Sequence, residues 1–380
     1  MAEKTQILLS VIIPAYNAEK TLFSAVGSVL PVLPYGHVEV LIVENGSTDK
    51  TGEEAENLVL AYGDPVRLLH SDKGVSNARN LGIREARGKW IFFLDADDVV
   101  DSKALRSLLK AAEQSTKAAD QNKKAAEGST DTPVSCANSA GQKKVPLDIV
   151  MGAMRRVYDR KTEKIYYRRY PVFWWQKDIA SFEQDLMKPQ TGVGFIWGKL
   201  FRTDFLRKNN LLLDPALSMA EDAEFMVRAV HASERIAYYP YPAYRYSFNS
   251  NSAVRRYRPD YPQGYLNSLQ KVRAFIMENN ARPYDVKTQE SYYSFALYHL
   301  LLTAVNYSFN PESGLGAEQQ IADFKRLLQE PIYAEALNHI HYEDFSMTRR
   351  AILMLIAKKQ YLAVRAAVGV RHLQFRARTN

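Results

Sequence analysis

From its first apolar run the chain alternates short hydrophobic blocks with amphipathic stretches. Ile7–Pro14 is a compact apolar run ended by a breaker, the pattern of a buried parallel strand. Ala18–Leu30 carries Leu22, Val26 and Val29 at helical spacing, and Val38–Val43 (VEVLIV) predicts a second strand. Asp49–Tyr62 predicts a helix with Ser47 and Asp49 as candidate caps. The alternation continues through a strand at Val66–His70, a helix at Val75–Ala86 and a strand at Trp90–Leu94 (WIFFL). This order predicts an α/β fold built on a mostly parallel sheet with flanking helices. Ligands of such sheets bind beyond the carboxyl ends of the strands. The exits here, Pro14–Asn17, Glu44–Ser47, Ser71–Gly74 and Asp95–Asp98, are where the polar residues collect.

Further along, residues 111–146 turn to Ala, Lys, Gln, Ser and Asp, which predicts a helix tail running into a mobile insertion, least ordered over Glu127–Lys144. Asp148–Tyr158 reads as a strand, with a hairpin through Ile165–Tyr170. Beyond Ser252 the pattern is helical: Gly264–Asn279, Lys287–Tyr307, Ala317–Gln329, and one basic helix from Met347 to about Val370. The layout is a catalytic-type body over 1–250 followed by a helical region over 251–380. The uncharged stretch Ser291–Pro311 holds Tyr292, Tyr293, His299 and Asn306, which a bilayer core penalises, so a buried helix is expected there. Met1–Gln6 is polar and Ile7–Ala15 is short and broken by Ser10 and Pro14, so no export signal is expected.

With 380 residues, 46% of them hydrophobic and 24% charged, the composition is globular and excludes a disordered or collagenous chain. A single cysteine, Cys136, excludes an internal disulfide and suits a reducing, cytoplasmic compartment. The net charge of +8 is unevenly placed: after Asp344 there is no acidic residue, and Arg349, Arg350, Lys358, Lys359, Arg365, Arg371, Arg376 and Arg378 account for the whole excess. On a continuous helix Ile352, Leu355, Ile356, Leu362, Ala363, Ala366 and Val370 share one side, opposite most of these cations. That stripe could pack on the body or lie on an anionic membrane surface at the inner face. Nucleic acid is not the expected partner, since no recognised binding motif accompanies the charge.

Asp95-Ala96-Asp97-Asp98 directly follows WIFFL, and carboxylates so spaced at a strand end can converge on a hard cation such as Mg²⁺ or Mn²⁺. A solvated acidic loop capping a helix at Ser102 is the competing reading. The wider set of motifs resembles the family 2 glycosyltransferases: SVIIPAYNAEKTL (10–22), VEVLIVENGSTDKT (38–51), KGVSNARNLGIREARGKWIFFLDADD (73–98) and the later AEDAEF (220–225). The resemblance implies a Rossmann-like GT-A fold and metal-dependent, inverting transfer from a nucleotide sugar. It implies that Pro14 and Tyr16 line the nucleotide site and that Asp95 binds ribose, with Ala96 between the acids. Asp97 would bind the metal, with Asp98 a further ligand or a support. Glu44 stands where the family usually has Asp against uracil, and Asp72 where it often has Asn. Arg79 matches an arginine near the diphosphate; a salt bridge to Glu85 or a neighbouring acid is its plainer explanation.

Glu221 and Asp222 precede Phe225, Val227 and Val230, whose spacing starts a helix, and acids in a first helical turn are favoured by the macrodipole alone. The resemblance gives Asp222 the role of base, with Glu221 as its neighbour. Gly194–Phe201 resembles the W-x-K-L-[FY] stretch found before that motif in the family, where Trp197 could stack on a sugar or simply be buried. Tyr166, Tyr167, Phe173, Trp174 and Trp175 could line an acceptor cleft, and Ser252 with Arg255 and Arg256 could close over phosphates. No P-loop and no G-x-G-x-x-G is present. The expected activity is transfer from a UDP-sugar to a hydroxyl of a bacterial-type surface glycan, a lipid-linked oligosaccharide being one of the expected acceptor classes. A nucleotidyltransferase and a degenerate binding module are the alternatives.

Overall fold

The computed structural model describes residues 6–126 and 146–379, apart from 33, 35–36, 159–160, 190, 248–256 and 279–285. Its first part alternates β1 (Leu9–Ala15), α1 (Leu22–Val29), β2 (Val38–Glu44), α2 (Thr51–Tyr62), β3 (Val66–His70), α3 (Val75–Glu85) and β4 (Trp90–Phe93). There follow β5 (Val99–Val100), α4 (Ser102–Ala126), β6 (Ile149–Tyr158), β7 (Lys161–Ile165), β8 (Val172–Trp175), α5 (Ile179–Met187), β9 (Lys199–Arg202), α6 (Thr203–Lys208), α7 (Glu221–Ala232) and β10 (Arg235–Ser247). The remainder is helical: α8 (Tyr261–Glu278), α9 (Val286–Thr303), α10 (Ala317–Leu327), α11 (Pro331–Leu337), α12 (Met347–Ala357) and α13 (Tyr361–Thr379).

One sheet runs β3-β2-β1-β4-β9-β6-β10-β5, with β7 on β6 and β8 on β10. The first four strands are parallel, as their alternation with helices requires. β9 then runs antiparallel to both β4 and β6. Successive side chains of β1 point to opposite faces. Val11 and Ile13 therefore join α1, α2 and α4 in one core, while Ile12 joins a second core with α3, α7 and the C-terminal helices. Helix α3 lies close on β1 because Gly82 has no side chain; a Cβ there would fall 2.4 Å from Ile12 Cγ2.

Within the described residues the first four strands and three helices lie within a few residues of their predicted bounds. Three expectations change. The predicted hairpin through Ile165–Tyr170 is instead the β6–β7 pair, so Tyr166–Tyr170 lie beyond the strand. The end of the second C-terminal helix is different too: Lys287–Tyr307 is α9 followed by a π-helical turn at Ala304–Ser308. The predicted basic helix is two helices. Lys359 adopts φ 56°, and the N–H groups of Lys359 and Gln360 donate to Ile356 and Leu355 at 2.9 Å each, the bonding of a Schellman turn.

That turn resets the helical phase. Ile352, Leu353 and Ile356 of α12 and Val364 and Val368 of α13 are buried, while Leu362, Val370 and Leu373 are exposed, so the predicted single stripe does not exist. Much of the tail's charge is also engaged. Arg350 donates to the Phe345 carbonyl (2.7 Å), Arg365 to Gln320 (2.8 Å), and Arg349 lies over the Tyr298 ring. Among the described residues no helix is long and apolar enough to cross a membrane. Cys136, most of the predicted insertion, and Ser252, Arg255 and Arg256 lie outside the described residues.

Candidate functional site

The four strand exits converge at one end of the sheet. After β1, Pro14 is buried and Tyr16 is 43% exposed, with Lys73 Nζ 5.2 Å from its ring centroid. Asn17 turns the chain at φ 50° and accepts the Thr48 N–H (2.8 Å), tying the β1 and β2 exits together. Glu44 ends β2, accepts the Ser47 N–H (2.5 Å) and lies 3.5 Å from His70. Partial burial works to raise its pKa, but hydrogen bonds from Ser47, His70 and Gly46 outweigh that and hold it below the usual range. Asp72 is exposed on the rim, its carbonyl accepting the Ser71 hydroxyl.

The acidic turn follows β4, and the Asp98 N–H donates back to the Asp95 carbonyl (3.0 Å). Ala96 is buried beneath it. Asp98 faces inward: one carboxylate oxygen accepts the Tyr244 hydroxyl and the other the Ser247 N–H, both at 2.6 Å. Burial, then the Asp95 charge, pushes its pKa up to about 8. Asp97 is exposed and makes no side-chain hydrogen bond to another described residue. Desolvation in the cleft, reinforced by Asp95, raises its pKa as well. No group of three His, Cys, Asp or Glu among the described residues is preassembled for a metal. The donor set still suits a hard divalent cation, because such ions take one or two carboxylates plus substrate phosphate oxygens. Owed first to desolvation and then to the Asp95 charge, the raised pKa of Asp97 is one that a bound cation would lower.

The N-A-R-N segment of α3 reaches across to the other half of the site. Arg79 does not pair with Glu85, which binds Arg67 instead. It donates to Asp95 (2.9 Å) and to Glu221 (3.1 Å). The side-chain amide of Asn80 brackets Leu213, donating to its carbonyl and accepting its N–H at 2.8 Å each, and so pins the segment leading toward α7. Glu221 and Asp222 open α7 behind Ala220, whose left-handed φ of 52° turns the chain into the helix. Asp222 accepts the Ala223 N–H (2.8 Å). Burial and then Glu221 push its pKa well above the ordinary carboxylate range, against the opposing pull of Arg79. Helix α8 braces this turn: the Ser268 hydroxyl donates to the Met219 carbonyl, and Gly264 lets the backbones approach, since a Cβ there would fall 2.8 Å from Met219 Cγ.

Trp197 is stacked between Phe195 and Tyr244, with centroids 4.6 Å from each. Its ring faces are thus occupied by protein, and Phe195, 39% exposed, is the outer ring of the stack. Tyr167 and Trp174 pack with Phe182 and Tyr238, Trp175 stacks with Arg235, and Phe173 meets Tyr239 edge-on, so most of that predicted aromatic set is packing. Two further residues of the site have no role assigned from the sequence. Tyr244 orders the acidic turn from β10, with no local signal to reveal it. Lys199 is buried with its ammonium on the Phe195 carbonyl. Burial lowers its pKa to about 7, and the Asp222 charge works against that shift. Its place in the W-x-K-L-[FY] stretch, next to apolar residues on both sides, was the available clue.

Residues 10–136 match the model of glycosyl transferase family 2. The EpsH protein of Bacillus subtilis (strain 168) is 23% identical over 376 residues, 97% of this chain and 98% of that protein. The succinoglycan biosynthesis protein ExoO of Rhizobium meliloti (strain 1021) is 28% identical over 258 residues, 66% of this chain and 63% of that one. The chain therefore carries a glycosyl transferase family 2 domain over residues 10–136. Its fold is also that of S. aureus TarS 1–349 in complex with UDP-GlcNAc, with a TM-score of 0.60 at 17% identity over 97% of this chain and 92% of that one. The mostly parallel sheet, flanking helices and helical C-terminal region are therefore a GT-A-like arrangement.

Proposed function

We propose that this glycosyltransferase moves a sugar from a UDP-hexose or UDP-N-acetylhexosamine to a hydroxyl of a surface glycan, with inversion at the anomeric carbon. The observation that carries the reading is the convergence of the Glu221–Asp222 pair with the acidic turn after β4, Arg79 joining Glu221 to Asp95. The Asp222 carboxylate takes the proton of the acceptor hydroxyl as its oxygen attacks the anomeric carbon. The bond from that carbon to the diphosphate breaks, and UDP leaves on the opposite face. Pro14, Tyr16, Glu44 and Asp72 would hold the nucleoside, and Asp95 the ribose. Asp97, with Asp98 supporting it from within, would hold Mn²⁺ or Mg²⁺, which supplies charge neutralisation of the leaving diphosphate. The uridine donor is supported by the bound UDP-GlcNAc of TarS, and the glycan acceptor by the succinoglycan role in ExoO's name.

The test is UDP release from a panel of UDP-sugars with Mn²⁺ or with chelator. Asp222→Asn should lose ~10²–10⁴-fold in rate while still binding UDP. Transfer near the wild-type rate in a folded variant would remove Asp222 from the role of base. For the membrane, the exposed Leu362, Val370 and Leu373 of α13, with the exposed Lys358 and Lys359 that precede it, would be the residues that meet anionic lipid. Replacing those three apolar residues by Glu should abolish flotation with anionic vesicles; unchanged flotation sinks this part of the reading.

A further inference from the structure

Arg79 stands between the two halves of the site with its side chain only 6% exposed. One prong of its guanidinium lies 2.9 Å from Asp95 and the other 3.1 Å from Glu221, while its buried Nε has no hydrogen-bond partner among the described residues. Its backbone is held as firmly: the neighbouring Asn80 is locked to Leu213, and Gly82 seats α3 directly on β1. With one N–H of each prong on a carboxylate, the two acids hold the planar fork from its two ends.

We propose that Arg79 is a positioning residue that clamps the donor-side acid Asp95 to Glu221 and thereby fixes the adjoining Asp222 against the donor. The proposal rests on the reading of Asp222 as base. It departs from the nucleotide-side role that the motif alone suggests. The groups facing Asp222 are Glu221 beside it, Arg79 from α3, Asp95 from the turn after β4, Lys199 from β9 and Tyr265 from α8. Arg79 and Lys199 favour the carboxylate; Glu221, Asp95 and burial favour the neutral acid. Removing Arg79 must therefore let Asp222 hold its proton to higher pH.

Three readouts on wild type, Arg79→Met and Arg79→Lys test the clamp: UDP binding by calorimetry, the pH dependence of UDP-sugar hydrolysis, and a carboxyl ¹³C titration of Asp222 without substrate, assigned with Asp222→Asn. Arg79→Met should keep UDP affinity within ~3-fold. It should lose ~10²-fold in kcat, with the acid limb and the Asp222 titration both moving to higher pH. Arg79→Lys should recover much of the pH limb but little of the rate, because an ammonium cannot bridge two carboxylates. If Arg79→Met fails to fold, Glu221→Gln stands in: it should lower kcat while moving the limb downward, and an unchanged rate overturns the clamp. An unmoved Asp222 titration in Arg79→Met also overturns it, as does a ~10²-fold loss of UDP affinity with kcat intact. Hydrolysis missing from the wild type would count against the glycosyl-transfer reading alone, because the titration still decides the clamp.

Discussion

Asp95, Asp97 and Asp98 are adjacent acids with three different tasks, and environment alone separates them. Asp95 is paired with a buried guanidinium, Asp97 opens to the cleft, and Asp98 is turned into the protein against Tyr244 and Ser247. The triplet was legible in the sequence because it follows an apolar strand. The division of labour was not, since Tyr244 comes from β10, far along the chain. Tyr244→Phe removes the donor to a buried carboxylate and should lower stability by ~1–3 kcal/mol, read by denaturant unfolding; an unchanged midpoint would show that the hydroxyl does not hold the turn. The raised pKa of Asp222 has its own sign. As the proposed base, Asp222 must be ionised to act, so kcat should fall with decreasing pH at values above the ordinary aspartate range of about 4. The same acid limb should vanish with Asp222→Asn. A limb confined to that ordinary range would mean the burial seen here does not act on Asp222 in solution.

At the scale of elements, the site depends on how closely helices approach the sheet and one another. The N-A-R-N segment was readable as helical, yet nothing in its spacing told whether Arg79 would face Glu85, a phosphate or a distant acid. That choice follows from the seat of α3 on β1, which Gly82 permits. Gly82→Ala should cost ~1–3 kcal/mol through overpacking and should lower activity more than its stability loss explains, because Arg79 moves with the helix. Thermal midpoint and kcat measured together check this, and a stable variant of full activity would contradict it. The tail shows the opposite failure of legibility. Its apolar spacing was projected on one continuous wheel, but Lys359 ends α12 in a left-handed conformation. Because a lysine is strained there and glycine is not, Lys359→Gly should stabilise the protein by ~0.5–1 kcal/mol; a lowered melting temperature would argue against that turn.

Over the whole molecule, the C-terminal helices share a core with one face of the sheet, through Phe345, Ile352, Leu353, Ile356, Val364 and Val368. A chain ended at Asp344 would strip these residues from the core, and it should melt at lower temperature and aggregate on heating. Equal stability of the shortened and full chains would show the tail to be an independent appendage. The net charge of +8 keeps its location but loses its simple meaning, since Arg349, Arg350 and Arg365 are engaged by the body. By itself the sequence determined the strand–helix order, the strand-end acids and the paired acids that open α7. Those signals are local: they depend on periodicity within a run and on residue type at its end. Tertiary structure decided which acid faces inward, which carboxylates share Arg79, that Trp197 is enclosed by other rings, and which side of the tail is buried. Each of these depends on groups brought together from distant segments by packing, and a side chain's partner and ionisation are set by the surroundings that packing creates.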